Sequence, residues 1–251
     1  MTLAIVVFVP EGIVLASDSR QSLSVESRKS DGQPGIPVET VNSDSVYKTF
    51  LIDKGKQTDP WQVGISTFGQ DMVGNVSIAS HLTKFSEERL HEKETVGSVA
   101  QKILEYFSSQ FPGANIGFHI AGYNVEKSIS VPYVYSCSVE HKTVKQTNRG
   151  PGKEIIYGAT WSGQTDILSS IVSPSFTKVS NGTVQEVQKP PIFWAAMPLQ
   201  DAIDFAMYAI RTTIDTIRFQ ARPKNVGGPI DVLVITPETG ALWIQKKRLH
   251  G

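Results

Sequence analysis

Apolar residues are packed most densely at the start of the chain. Residues 3–9 and 13–16 are aliphatic, largely β-branched runs separated by Pro10-Glu11-Gly12. Such runs predict buried strands, and the polar break between them predicts a hairpin turn. With the turn at residues 10 and 11, facing residues have numbers that sum to about 21. Thr2 therefore falls near Ser19, and Thr2 and Asp18 belong to the same end of the hairpin. Residues 21–45 are polar and rich in Ser, Asp, Gly and Pro, which predicts a long loop insertion. Strands are expected at 46–52 and 61–68, around a polar turn at 53–60.

The period then lengthens. Met72, Val76, Ala79, Leu82 and Phe85 recur at three and four, as do Val96, Val99, Ala100, Ile103, Leu104 and Phe107. These stripes predict helices over 71–90 and 95–111, the second capped by Thr95. Strands follow at 117–123, 131–139 and 153–159, then a turn at 160–163 and a short helix at 164–172. Residues 173–191 read as a Pro-bounded loop. Pro198 opens a helix with the stripe Ile203, Met207, Ile210, Ile214 and Ile217, and strands at 230–236 and 241–245 complete the pattern. Paired strands with paired helices, rather than strict β-α alternation, predict antiparallel sheets covered by helices. Without repeats or a shift in composition, residues 1–251 read as one α+β domain.

Composition removes several function classes. Lys plus Arg number 24 and Asp plus Glu 24, so no global field draws nucleic acid or an anionic membrane. No stretch approaches the ~18 apolar residues that span a bilayer, and no signal-peptide pattern is present. The expectation is a cytoplasmic protein. The single Cys137 cannot form an internal disulfide and reads as a buried, reduced thiol. His81, His91, His119, His141 and His250 form no zinc motif, and Gly150-Pro151-Gly152-Lys153 lacks the spacer of a phosphate loop, so no metal or cofactor is expected.

The candidate chemistry lies in the hairpin. Removal of Met1 before the small Thr2 would set a free α-amine beside a hydroxyl, and such an amine can act as the hydroxyl's general base. Its reference pKa near ~7.7–8.0 suits that task. Asp18 closes the second strand, and Lys48, flanked by Tyr47 and Phe50, would favour the ionised nucleophile if buried beside Asp18.

These segments resemble proteasome β-type subunits, and in particular the bacterial ring peptidases of the Anbu type. The resemblance runs through Thr2-Leu3-Ala4-Ile5, Ala16-Ser17-Asp18-Ser19-Arg20, Lys48-Thr49-Phe50, Ser66-Thr67-Phe68-Gly69-Gln70-Asp71, Ile120-Ala121-Gly122-Tyr123 and Gly227-Gly228-Pro229-Ile230-Asp231. It covers nearly the whole chain in order. It implies a four-layer αββα sandwich of the N-terminal-nucleophile hydrolases and a threonine-type endopeptidase. The implied site residues are Thr2 as nucleophile, Asp18 and Lys48 as its charged support, the N–H of Ser66 as oxyanion donor, and Ser162 beside the amine. Trp161 and Arg222 depart from the family pattern around that amine, and Asn225 stands where a supporting Ser is usual. The resemblance further implies a homo-oligomeric ring, peptide or unfolded-protein substrate, and an ATP-dependent unfolding partner. A catalytically silent ring subunit and an amidase for small amides share these features.

Overall fold

The computed structural model describes residues 2–25, 38–55, 61–91, 93–173 and 175–248. Met1, His250, the middle of the 21–45 stretch and residues 56–60 of the polar turn lie outside them. The chain opens with β1 (Leu3–Val9) and β2 (Gly12–Ser17), paired antiparallel with Ala4 facing Ser17 and Val9 facing Gly12, the register that the turn position predicts. Every residue of both strands is buried. A strand buried on both faces needs a layer above and a layer below, and the rest of the fold supplies them.

Next come β3 (Gln21–Val25) and β4 (Val38–Ser43), β5 (Thr49–Asp53), β6 (Gln62–Gly69), and the short β7 (Met72–Val73) and β8 (Val76–Ser77). Helices α1 (Ile78–Arg89) and α2 (Val96–Gln110) precede β9 (Ile116–Glu126), β10 (Ile129–Ser138), β11 (Thr143–Gln146) and β12 (Gly158–Gly163). The chain continues through α3 (Asp166–Val172), β13 (Ser175–Ser180), β14 (Thr183–Gln188), α4 (Leu199–Phe219), β15 (Asp231–Thr236) and β16 (Gly240–Gln245). One antiparallel sheet has the order β12-β1-β2-β15-β16 and the other β11-β10-β9-β6-β5.

Three apolar layers hold these elements in an αββα sandwich. Val6, Phe8, Ile13, Leu15, Ala121, Val134, Leu233 and Ile235 fill the space between the sheets. Leu3, Ile5, Val7, Val14 and Ala16 turn the other way, onto Leu168 of α3 and Ala206 and Ile210 of α4. Ile65, Phe118 and Ile120 pack under Phe85 of α1 and Ile103 and Phe107 of α2. Strand alternation assigns each side chain to one layer, and full burial of each large aliphatic is worth about 1.5–3 kcal/mol over exposure. The hairpin turn also caps α4: Glu11 accepts a 2.8 Å hydrogen bond from the N–H of Leu199, an acid at a helix start that favours negative charge.

Several element boundaries differ from those the pattern predicts. Residues 21–25 and 38–43 pair as a two-stranded ribbon instead of forming a loop. So do residues 175–180 and 183–188. Both ribbons are short and largely polar, so their apolar alternation is weak. The first helix begins at Ile78, not at 71, because Gly74 and Asn75 take left-handed conformations that turn β7 back along β8. Ser77 then caps the helix by accepting from the N–H of Ser80 at 3.2 Å. Residues 158–163 form the strand expected at 153–159, and the expected turn at 160–163 is its second half. Among the described residues no helix is long and apolar enough to cross a membrane.

Candidate active site

Thr2 stands just before β1, with its flanks fixed by the strands on either side. Its carbonyl accepts a 2.7 Å hydrogen bond from the N–H of Gln164. The N–H of Leu3 donates to Asp18 Oδ1 at 3.0 Å. The pairing of Leu3 with Gly163 brings the end of β12 against Thr2. Gly163 has φ +99°, and a β-carbon there would fall 1.7 Å from the Thr2 carbonyl oxygen. Only glycine accommodates both the left-handed backbone and the close approach. The Thr2 hydroxyl is buried and has no hydrogen-bond partner among the described residues.

Asp18 is the hub. Its Oδ1 accepts from the N–H of Leu3 and from the Lys48 ammonium at 3.1 Å. Its Oδ2 accepts from the N–H groups of Arg20 and Gly227, each at 3.1 Å. Asp18 and Lys48 have fully buried side chains, and removing either partner from such a pair is costly. Lys48 also donates to the carbonyl of Arg20. An ammonium has three donors, and the third has no acceptor among the described residues. Arg20 forms a bidentate pair with Asp44, at 2.6 and 2.7 Å, just after β4. That hydrogen bond holds the Asp44 carboxyl below the usual carboxylate range and raises Arg20.

Ser66 is brought to the same end of the sandwich, but by its side chain. The Thr49 hydroxyl shares hydrogen bonds with Ser17 at 2.7 Å and Ser66 at 3.1 Å, so three buried hydroxyls tie the two sheets together. The N–H of Ser66, the expected oxyanion donor, belongs to the interior of β6. Thr67 donates to Lys48 on the β5 side at 2.8 Å, and Gln70 donates to Asn115 on the β9 side, also at 2.8 Å. Successive backbone N–H groups alternate between the two neighbouring strands. The Ser66 N–H thus turns into the sheet toward β9, where Ser66 faces His119.

Ser162 faces Ala4 in register and is half-buried, and its hydroxyl has no hydrogen bond among the described residues. Other groups around Thr2 engage one another: Asn225 and Arg222, which the sequence singles out, and Gln164 and Asp166, which it does not. Asn225 donates to the Gln164 side chain at 3.0 Å, and Gln164 donates to Asp166 at 2.6 Å. Arg222 forms a 2.6 Å ion pair with Asp166, which holds that carboxyl low. Asp166 opens α3, so this pair ties the start of α3 to the segment after α4.

His119 and Cys137 are two further buried titratable groups. His119 is fully buried against the Phe68 ring, centroids 4.9 Å apart, with neither ring nitrogen partnered among the described residues. Burial pushes its imidazole down to about 3. Cys137 is a free, buried thiol, as expected, and burial pushes it up to about 12. Among the described residues, no group of three or more His, Cys, Asp or Glu could hold a metal ion.

No protein-family model and no curated protein matches the sequence. Solved structures do match. One is a Gly-1 mutant of Anbu from Hyphomicrobium sp. strain MC1, with a TM-score of 0.57 and 14% identity, covering 97% of this chain and 87% of that one. The likeness is one of fold. It agrees with the sandwich and with the resemblance carried by the opening hairpin.

Proposed function

We propose that the chain is a threonine-type peptidase whose nucleophile is the hydroxyl of Thr2. The observation that carries this reading is the position of Asp18: one carboxylate oxygen accepts from both the Leu3 N–H and the Lys48 ammonium. The backbone of the nucleophilic residue and the cation beside it are thereby referred to one fixed point. Lys48 retains a donor, and the Thr2 hydroxyl retains its full hydrogen-bonding capacity.

Hydrolysis of the Met1–Thr2 bond frees the Thr2 α-amine. The amine takes the hydroxyl proton, directly or through a water, as Oγ attacks the peptide carbonyl. Lys48 lowers the energy of the developing alkoxide, and Asp18 balances the charge of Lys48. The amine then returns the proton to the leaving amine group, leaving an acyl ester on Thr2 that water cleaves. Gln164, itself held by Asn225, fixes the Thr2 carbonyl. Ser162, which faces Ala4 on the neighbouring β12, would support the amine. By analogy with its fold, the protein acts in the cytoplasm as a single-domain subunit of a closed homo-oligomeric ring, on peptides or unfolded chains. An ATP-dependent unfolding partner would deliver the latter.

A second reading, a silent ring subunit, is favoured by the Ser66 N–H, which is directed into the sheet and away from a substrate carbonyl. Intact-mass measurement together with fluorogenic-peptide hydrolysis by the wild type and a Thr2→Ala variant separates the two. Loss of Met1 and Thr2-dependent turnover support the peptidase. Turnover with Met1 retained, or undiminished in Thr2→Ala, overturns it.

A further inference from the structure

A second buried ion pair lies one strand away from Asp18 and Lys48, and the reaction above does not use it. The side chains of Lys247 and Asp231 are 3% and 0% exposed. Asp231 opens β15 directly opposite Ser17, the residue before Asp18. It holds Lys247 at both ends: Oδ1 accepts from the backbone N–H at 2.8 Å, and Oδ2 accepts from the ammonium. Desolvation offsets most of the attraction in such a pair, so it contributes little net stability to the fold.

What the pair does hold is Tyr47. The Lys247 ammonium stands 4.3 Å from the centre of the Tyr47 ring, and the Tyr47 hydroxyl reaches the Lys247 carbonyl at 3.5 Å. Lys246 adds its ammonium 4.5 Å over Trp243 and 5.9 Å from the same Tyr47 ring. Cation–ring contacts of this length are attractive, more so away from water. Tyr47 immediately precedes Lys48. The backbone on either side is already pinned, by the Val46 N–H to Ser19 at 3.0 Å and by the Lys48 carbonyl to Thr67 at 2.8 Å. The Tyr47 ring is the remaining handle on this segment.

We propose that Lys247, fixed by Asp231, is a positioning residue: it clamps Tyr47 and so fixes the 46–48 segment from which the Lys48 ammonium reaches Asp18. The inference rests on the reading of Lys48 as a catalytic residue. It couples the segment after β16 to the site through a single aromatic ring. Burial lowers the Lys247 pKa, and the fields of Lys48 and Asp18 both reach it, as the proximity requires.

The test compares Lys247→Met, Tyr47→Leu and the double variant Asp231→Asn/Lys247→Met with the wild type. Lys247→Met and Tyr47→Leu are each expected to lower kcat about tenfold with KM nearly unchanged, the signature of a misplaced catalytic group. Both are expected to speed amide hydrogen exchange at residues 46–49. The double variant removes both charges, so it is expected to recover thermal stability while keeping the kcat loss. Recovery of kcat together with stability overturns the proposal, as does Tyr47→Leu with normal kcat and normal exchange. Exchange requires no turnover. An inert wild-type protein would therefore count against the peptidase reading, while faster exchange at 46–49 in the variants would still support the clamp.

Discussion

The carbonyl oxygen of Thr2 occupies the space that a side chain on Gly163 would need, 1.7 Å from the ideal β-carbon position. The backbone at Gly163, φ +99°, is also one that L residues rarely adopt. A Gly163→Ala variant must move β12 away from β1 or displace Thr2. Left-handed strain alone costs roughly 1–3 kcal/mol. The expected result is a lower urea midpoint together with a fall in peptide turnover larger than the stability loss explains. Full turnover in a destabilised variant would separate Gly163 from the site.

Lys48 is surrounded by groups that need its charge. Lys48→Met leaves Asp18 buried without its cation and is expected to cost about 3–5 kcal/mol. Lys48→Arg keeps the charge, but it replaces a point donor by a planar fork in a fully buried site. The expected outcome is a folded protein, by circular dichroism, with turnover reduced about a hundredfold or more. Turnover within a few-fold of the wild type would remove Lys48 from the mechanism.

The three hydroxyls of Ser17, Thr49 and Ser66 make a prediction about stability alone. Thr49→Val removes the shared partner and leaves two buried hydroxyls unsatisfied, at a cost of about 1–3 kcal/mol. Converting Ser17 and Ser66 to Ala in that background is expected to return part of the loss, because an unmade hydrogen bond costs more than an absent polar group. Denaturant titration of the single and triple variants measures the coupling. Simple additivity of the three substitutions would dismiss the cross-sheet link.

The sequence announced its site unevenly, for physical reasons. Thr2 and Asp18 could be set at one hairpin end because a two-residue turn fixes register, and Ala4 does face Ser17. Helix α2 was legible because both its stripe and its Thr95 cap are local. The direction of the Ser66 N–H is not legible because it depends on which strand lies on each side, which no local pattern states. Gln164 and Asp166 are not legible as site residues because polar residues in loops and at helix starts carry no periodic mark. They meet only after β12 has been laid beside β1. The ribbons of 21–25 with 38–43 and of 175–180 with 183–188 read as loops in the sequence because their strands are short and largely polar.

His119 gives the protein a pH dependence whose sign follows from its burial. The imidazole has no partner among the described residues, and burial holds it down to about 3, against 6.5 when exposed. Between those values the unfolded chain binds a proton that the folded one does not. Stability from this group is therefore complete above about 6.5 and falls as pH is lowered toward 3, by about 1.4 kcal/mol per pH unit. Asp71 acts in the opposite sense, because burial raises its carboxyl and acid relieves that cost. The two are separated by comparing wild type with His119→Leu in urea unfolding at pH 7.5, 5.5 and 4.5, since Asp71 is common to both. The advantage of the wild type over the variant is expected to shrink steadily below pH 6.5, and to be constant above it. An advantage independent of pH across this range would mean that His119 is charged or partnered in the folded protein.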